Sequence, residues 1–348
     1  MHALAALVLA GALAAAGITT AEKVKLGEAL VGRGDAKKGK PHLEAALTAA
    51  DLTDDDKARA AQALGLAFIQ LRKAKEAVPH LELATTMRPK NEKAWLYLGI
   101  AKDQAGDAAG SIAAYEGGTK AIPTSTTLKH ELGMAYLAAG KNAEGASTLE
   151  AAATANESDP ELAADAAYAL SLVGKFKPAR EFALRACEMS PENPNALYTL
   201  GMAELGLGNT KAAHQAFDDA IDSDETHVPA LFQLGVLLSA GNDHKGAAKR
   251  FTTVLKIEPD HARARAALGV SLAALGNSAE AEAMLRKAVQ AEPKLASAWA
   301  MLGDLLAKEG KIAEAKKALQ TSQKLKPNPQ VKARLDGLAG AKEGTKVP

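Results

Sequence analysis

The sequence predicts an all-α protein: a solenoid of helix–turn–helix units closed by a C-terminal capping helix. Three observations carry this. The chain is rich in Ala and Leu, only 4% of its residues are aromatic, and it has few β-branched runs that would make strands. Its 348 residues are many for one compact core, so several domains or an elongated array is expected. The stretch AWLYLG, Ala94 to Gly99, returns as AWAMLG, Ala298 to Gly303, 204 residues later, which is six times 34.

A spacing of 34 organises nearly the whole chain. Glycines fall in register at Gly65, Gly99, Gly133, Gly201, Gly235, Gly269 and Gly303, and Ala167 fills the one gap. Gly27 opens the series 38 residues before Gly65, and the four extra residues are assigned to the acidic connector DLTDDDK, Asp51 to Lys57. Twelve residues after each glycine stands a small residue: Gly39, Ala77, Ser111, Gly145, Ala179, Ala213, Ala247, Ala281 and Ala315. Seven further on comes a second small column, with Ala46, Ala84 and Gly118 in its first three units. Between the two lies a mostly larger column: Leu43, Leu81, Tyr115, Leu149, Ala183, Phe217, Phe251, Leu285 and Leu319. Pro89, Pro123, Pro191, Pro259, Pro293 and Pro327 close six of nine units.

This phase predicts two helices per unit. In the third unit Trp95, Leu98 and Gly99 begin one helical face, and the turn AGD, Ala105 to Asp107, ends the helix. A second helix presents Ile112 and Tyr115 inward until Pro123 stops it. Small columns let the paired helices approach, and the larger column fills the space between them. The same packing problem returns in each unit, which is why the motif recurs.

The pattern resembles the tetratricopeptide repeat, a 34-residue helix–turn–helix unit. Trp95, Leu98, Gly99, Ile112, Tyr115 and Pro123 match it within one unit, and Trp299, Leu302, Gly303, Ala315 and Pro327 in another. The resemblance covers nine units over residues 19–327 and implies a right-handed superhelix. Departures are local: Ala167 in the fifth unit, Lys23 at the Trp position of the first, and Glu157 and Glu225 where the fourth and sixth end without proline. Residues 328–340 read as the capping helix, with Pro329 at its first position and Val331, Leu335 and Leu338 on one face. Residues 341–348 read as a disordered tail.

Residues 1–18, MHALAALVLAGALAAAGI, carry no charge apart from His2. As a signal peptide they offer the apolar stretch Leu4 to Leu13 and the small-residue site Ala14 to Ala16. As an anchor they are short, and the later Lys23, Lys25 and Arg33 would place the repeats in the cytoplasm. As part of a degenerate extra unit they would expose Leu7 and Val8. Export to the periplasm or beyond is the leading expectation. A membrane-anchored, cytoplasm-facing adaptor is the alternative.

Chemistry is sparse. Lys plus Arg is 42 against 41 Asp plus Glu, scattered in both signs, which disfavours a nucleic-acid binder. The single cysteine, Cys187, excludes an internal disulfide or zinc cluster and reads as a small buried hydrophobe. HELGM, His130 to Met134, lacks the second histidine of a zinc-protease motif. GLGNTK, Gly206 to Lys211, falls on a turn between paired helices and lacks phosphate-loop spacing. His42 and His80 occupy equivalent places in adjacent units and read as surface residues. Asn156-Glu157-Ser158 formally matches a glycosylation acceptor. No catalytic arrangement and no cofactor is expected.

The resemblance implies that the first helices line a concave surface that binds extended peptides or helices. The residue after each glycine position runs Glu28, Leu66, Ile100, Met134, Tyr168, Met202, Val236, Val270 and Asp304. Three residues before the glycine stand Leu96, Tyr198 and Phe232, and Tyr97 follows Leu96. His130 is the only basic residue in that position, so capture of an acidic C-terminus is disfavoured. An apolar ladder suits an amphipathic helix or an apolar peptide segment of a protein partner. Equally, these residues would pack between adjacent first helices. Tyr198 and Phe232 are expected to form an exposed patch. A non-catalytic interaction scaffold leads; an enzyme or metal protein with a site assembled across units, or an element that self-assembles through its ends, is the alternative. Membrane contact is expected only through residues 1–18.

Overall fold

A computed structural model of the chain describes residues 18–347. The sequence readings of residues 1–18 lie, but for Ile18, outside the described residues. Within the described residues the secondary structure is helical without strands. The helices are α1 (Thr20–Gly32), α2 (Ala36–Leu47), α3 (Asp54–Gln70), α4 (Ala74–Met87), α5 (Glu92–Gln104), α6 (Ala108–Ala121), α7 (Thr126–Ala138), α8 (Asn142–Ala155) and α9 (Pro160–Leu172). There follow α10 (Phe176–Met189), α11 (Pro194–Gly206), α12 (Thr210–Ser223), α13 (Val228–Ala240), α14 (His244–Ile257), α15 (Ala262–Ala274), α16 (Ser278–Ala291), α17 (Ala296–Lys308), α18 (Ile312–Leu325) and α19 (Pro329–Gly337). Among the described residues, no helix is long and apolar enough to cross a membrane.

Local chemistry sets the helix ends. The residue before most first helices forms a capping column, though Leu295 before α17 does not join it: Asn91, Ser125, Asp159 and Asn193 each accept a backbone N–H from the first turn. Such a cap contributes about 1 kcal/mol. His227 and His261 continue the column, each through a ring nitrogen that accepts a backbone N–H at 3.1 Å. The turns inside the pairs need one left-handed residue. Gly106, Gly140, Gly208, Gly276 and Gly310 supply it with φ between 73° and 87°, while Arg72 and Asn242 take the same place at 58° and 64°.

The four extra residues of the second unit do not form a connector. They lengthen α3 by one turn, to 17 residues against 13 for α1 and α5. Thr53 caps it, and Asp54, Asp55 and Asp56 fill the first turn, where the helix dipole favours negative charge. The acidic run thus starts a helix.

The chain divides into two compact units, residues 1–175 and 176–348, between the helices of the fifth repeat. In the first unit helices pack in chain order, and first helices of successive repeats are neighbours, α1 with α3, α3 with α5 and α5 with α7. Glycine meets the large column directly. A β-carbon at Gly133 would lie 2.5 Å from the side chain of Leu149, and Gly27, Gly65 and Gly99 face Leu43, Leu81 and Tyr115 in the same way. Leu43, Leu64, Leu81 and Leu98 belong to one core, and Ile112, Tyr115, Leu128 and Leu132 to another.

The second unit repeats the arrangement. A β-carbon at Gly201 or Gly235 would stand 2.5 Å from Phe217 or 2.7 Å from Phe251, and Gly269 and Gly303 face Leu285 and Leu319. Phe217 and Phe251 are among its largest fully buried side chains. At its end, Val331 of α19 and Leu338 just after it are buried against the last pair. Residues 342–347, read from the sequence as part of a tail, pack back on the last helix pair. The Gly344 N–H donates to the Gly310 carbonyl at 2.8 Å, the Val347 N–H donates to that of Ala307 at 3.0 Å, and Val347 packs on the terminal core. The Ala307 carbonyl also accepts the Gly310 N–H at 3.0 Å, so the tail adds a second donor there and the donor to Gly310.

The recurring tryptophans fix each first helix to the linker before it. The Trp95 indole N–H donates to the Pro89 carbonyl at 2.8 Å, and that of Trp299 to Pro293 at 2.9 Å. Gly117 and Gly118 leave room for the Trp95 side chain; a β-carbon at Gly117 would come to 2.9 Å from its ring, and one at Gly118 to 2.9 Å from its Cβ.

Candidate functional site

The candidate ladder lies on first helices, and the structure grades it. In the first unit Leu66 and Tyr97 are half-buried against the N-terminal core, and Leu96 against the Ile112–Leu132 core. Ile100 and Tyr168 are also half-buried, whereas Met134 is 40% exposed. In the second unit Tyr198, Met202 and Phe232 pack against a core that includes Phe217 and Phe251. Val236 is 40% exposed, and Val270 is half-buried.

Tyr198 and Phe232 therefore do not make the open aromatic patch expected of them. The Phe232 ring lies between Phe251 at 5.7 Å and the capping His261 at 5.3 Å, and Tyr198 lies between Phe217 at 5.9 Å and His227 at 5.5 Å. Each ring bridges its own helix pair to the cap of the next repeat. The histidine caps were the missing clue, because a ring at the cap gives the aromatic something to stack on.

The acidic ends of the ladder are paired. Glu28 accepts from Nε of Arg59 at 3.1 Å, and Asp304 pairs with Arg334 of the capping helix. Burial pushes the Asp304 carboxyl up, and Arg334 and Lys308 pull it back.

The other motifs resolve as packing. His130 reaches across to Asp165 at 2.6 Å, and that contact holds its pKa above the usual histidine value. In GLGNTK, the Asn209 amide donates to the buried Glu204 at 2.7 Å, and Arg180 meets the same carboxylate at 2.5 Å. The His80 ring stacks on Phe68 with centroids 5.5 Å apart. Cys187 is half-buried, and burial pushes its thiol up to about 11, away from the reactive thiolate. Among the described residues no group of three or more His, Cys, Asp or Glu could hold a metal ion.

A cavity of about 800 Å³ opens at the end of the second unit. Val270, Met301 and Leu305 of α15 and α17 line it, together with Val331 and Arg334 of α19 and Lys346 of the tail. Of this lining, the ladder register flags only Val270 and Asp304, while Leu285 belongs to the large packing column. Lys326, Asn328, Val331, Arg334 and Lys346 come from the last linker, the cap and the tail, where the 34-residue period no longer applies.

Two profiles described as tetratricopeptide repeat match the chain, one over residues 24–92, 62–126, 130–194 and 198–248, the other over 237–294 and 272–335. The chain belongs to the tetratricopeptide repeat family. A chain from the crystal structure of the APC/C hetero-tetramer Cut9–Hcn1 shares this fold at 14% identity and a TM-score of 0.61, covering 90% of this chain and 75% of that one. A tetratricopeptide repeat protein from Parabacteroides merdae ATCC 43184 matches at 17% identity and a TM-score of 0.57, covering 71% of this chain and 98% of that one. No curated protein matches. In tetratricopeptide repeat terms the first helices carry the ladder, and the second helices carry most of the charge on exposed faces.

Proposed function

We propose that this protein is a non-catalytic scaffold that holds a protein partner through the first-helix face of its tetratricopeptide repeats. The family is one of protein–protein interaction. The observation that carries the reading is the exposure of Met134 and Val236, each 40% open to water at the same register of a first helix. The half-buried Leu66, Ile100, Met202 and Val270 share that register. Within each unit, apolar side chains held half-open at one register of the first helices favour an amphipathic helix or an apolar peptide segment as the partner. Met134 adapts to different shapes because its side chain is unbranched.

The test is partner capture from the native extract by the intact chain, compared with a Met134→Lys, Val236→Lys variant. Both positions are exposed, so helicity should be unchanged and the captured partner lost. Equal capture by the variant would remove the assignment.

Location is proposed from the sequence. The apolar run of residues 1–18 with its small-residue site supports export with cleavage, and the basic residues after it support the anchored alternative. The mass and compartment of the mature protein separate the two.

A further inference from the structure

The ladder is apolar, but the cavity at the end of the second unit has a second character. Its floor is apolar, with Val270, Met301, Leu305 and Val331. Its rim carries Lys308, Lys326 and Lys346, all exposed, and no ion pair within the described residues engages any of them. The two carboxylates on the wall are already engaged, Asp304 by Arg334 and Glu309 by Lys311 at 2.7 Å. Lys308 also acts on Asp304 through space, so the excess positive charge around the low-dielectric floor comes from Lys326 and Lys346, and it focuses a positive potential into the cavity. The tail is part of this arrangement. Its backbone bonds to Ala307 and Gly310, and the Ala313 N–H bonded to Glu343 at 3.1 Å, fix Lys346 at the rim.

We propose that this cavity receives an acidic peptide segment of the partner protein, seated by one apolar side chain on the floor and by carboxylates against Lys308, Lys326 and Lys346. The proposal rests on the scaffold reading and adds the chemistry of the bound segment. The first-helix columns disfavour capture of an acidic C-terminus, with His130 the only basic residue three before the glycine position; the cations at this cavity come instead from a helix end, a linker and the tail.

A random peptide library displayed on phage is panned against the full chain. The expected peptides combine acidic residues with a large apolar one. A labelled copy of the best peptide should bind roughly tenfold more weakly to the Lys308→Ala, Lys326→Ala, Lys346→Ala variant. It should bind more tightly to Asp304→Asn, and lose affinity as salt rises. Circular dichroism checks that both variants keep their helicity. Enrichment of neutral or basic peptides overturns the proposal, as does an acidic peptide indifferent to the three lysines. A peptide that ignores the lysines but is lost with Met134→Lys and Val236→Lys overturns the pocket and leaves the scaffold standing. No enrichment on the intact chain counts against both.

Discussion

Phe232 stacks on His261 with the two ring planes 23° apart, and Nδ1 of the same histidine caps the next first helix by accepting the Ala264 N–H. One repeat earlier Tyr198 meets His227, which caps α13. These rings join successive repeats of the second unit. Tyr198→Ala with Phe232→Ala is therefore expected to destabilise that unit. Full core burial of such a ring is worth about 3–5 kcal/mol, and half-burial about 2 kcal/mol at each site. Urea unfolding checks this; an unchanged midpoint would mean that the rings carry no packing role. Loss of partner capture in that variant would not by itself report on a binding surface, which is why the exposed Met134 and Val236 are the better probes.

Glycine-to-alanine changes should divide by sign. At Gly235 the added carbon would meet the buried Phe251, 2.7 Å away. Overpacking costs roughly 1–3 kcal/mol and exceeds the helix-propensity gain of about 1 kcal/mol. At Gly32, in the last turn of α1, nothing lies within 4 Å. There the substitution should stabilise by about 0.4–1 kcal/mol. Chemical denaturation of the two variants reads both signs, and a stabilising Gly235→Ala would contradict the packing described.

Stability should fall in mild acid through His227. Its Nδ1 accepts the Ala230 N–H, which requires the neutral ring, and Nε2 meets Asn195 Oδ1 at 3.1 Å. Burial lowers its pKa from the ordinary 6.5, against the pull of Asp224. The unfolded chain then takes up the proton first. The stabilisation is present above the unfolded value and is lost as pH falls through the lowered folded one. His227→Asn keeps a good cap that cannot titrate, as at Asn193 one repeat earlier. The variant should lose less stability than the parent between about pH 7.5 and about pH 5. An identical loss would remove His227 as the cause. His130 works the other way: its pKa is raised by Asp165, so its contribution is present in acid and fades as pH rises through the folded value.

The repeat phase was legible because it records a steric rule. Gly133 and Leu149, or Gly235 and Phe251, stand sixteen residues apart in sequence and touch in space, so a small and a large column must appear together. What depends on sequence only once was harder to read. The run DLTDDDK looks like a polar linker, yet Thr53 and three aspartates satisfy a helix N-terminus. KEGTKVP looks like a tail, yet its backbone meets the carbonyls of Ala307 and Gly310. Tyr198 and Phe232 looked exposed by register, and histidine caps from the next repeat cover them. Of the rim lysines, Lys326 lies in the last linker and Lys346 in the tail that folds back on the last pair, positions that no period encodes.

The most direct measurement places a photoreactive side chain at position 236, on a first helix, or at Lys249, exposed on the second helix α14, and irradiates the chain with its captured partner. The account predicts crosslinks from position 236 and few from 249. Crosslinks from 249 alone would put the partner on the opposite surface and contradict it.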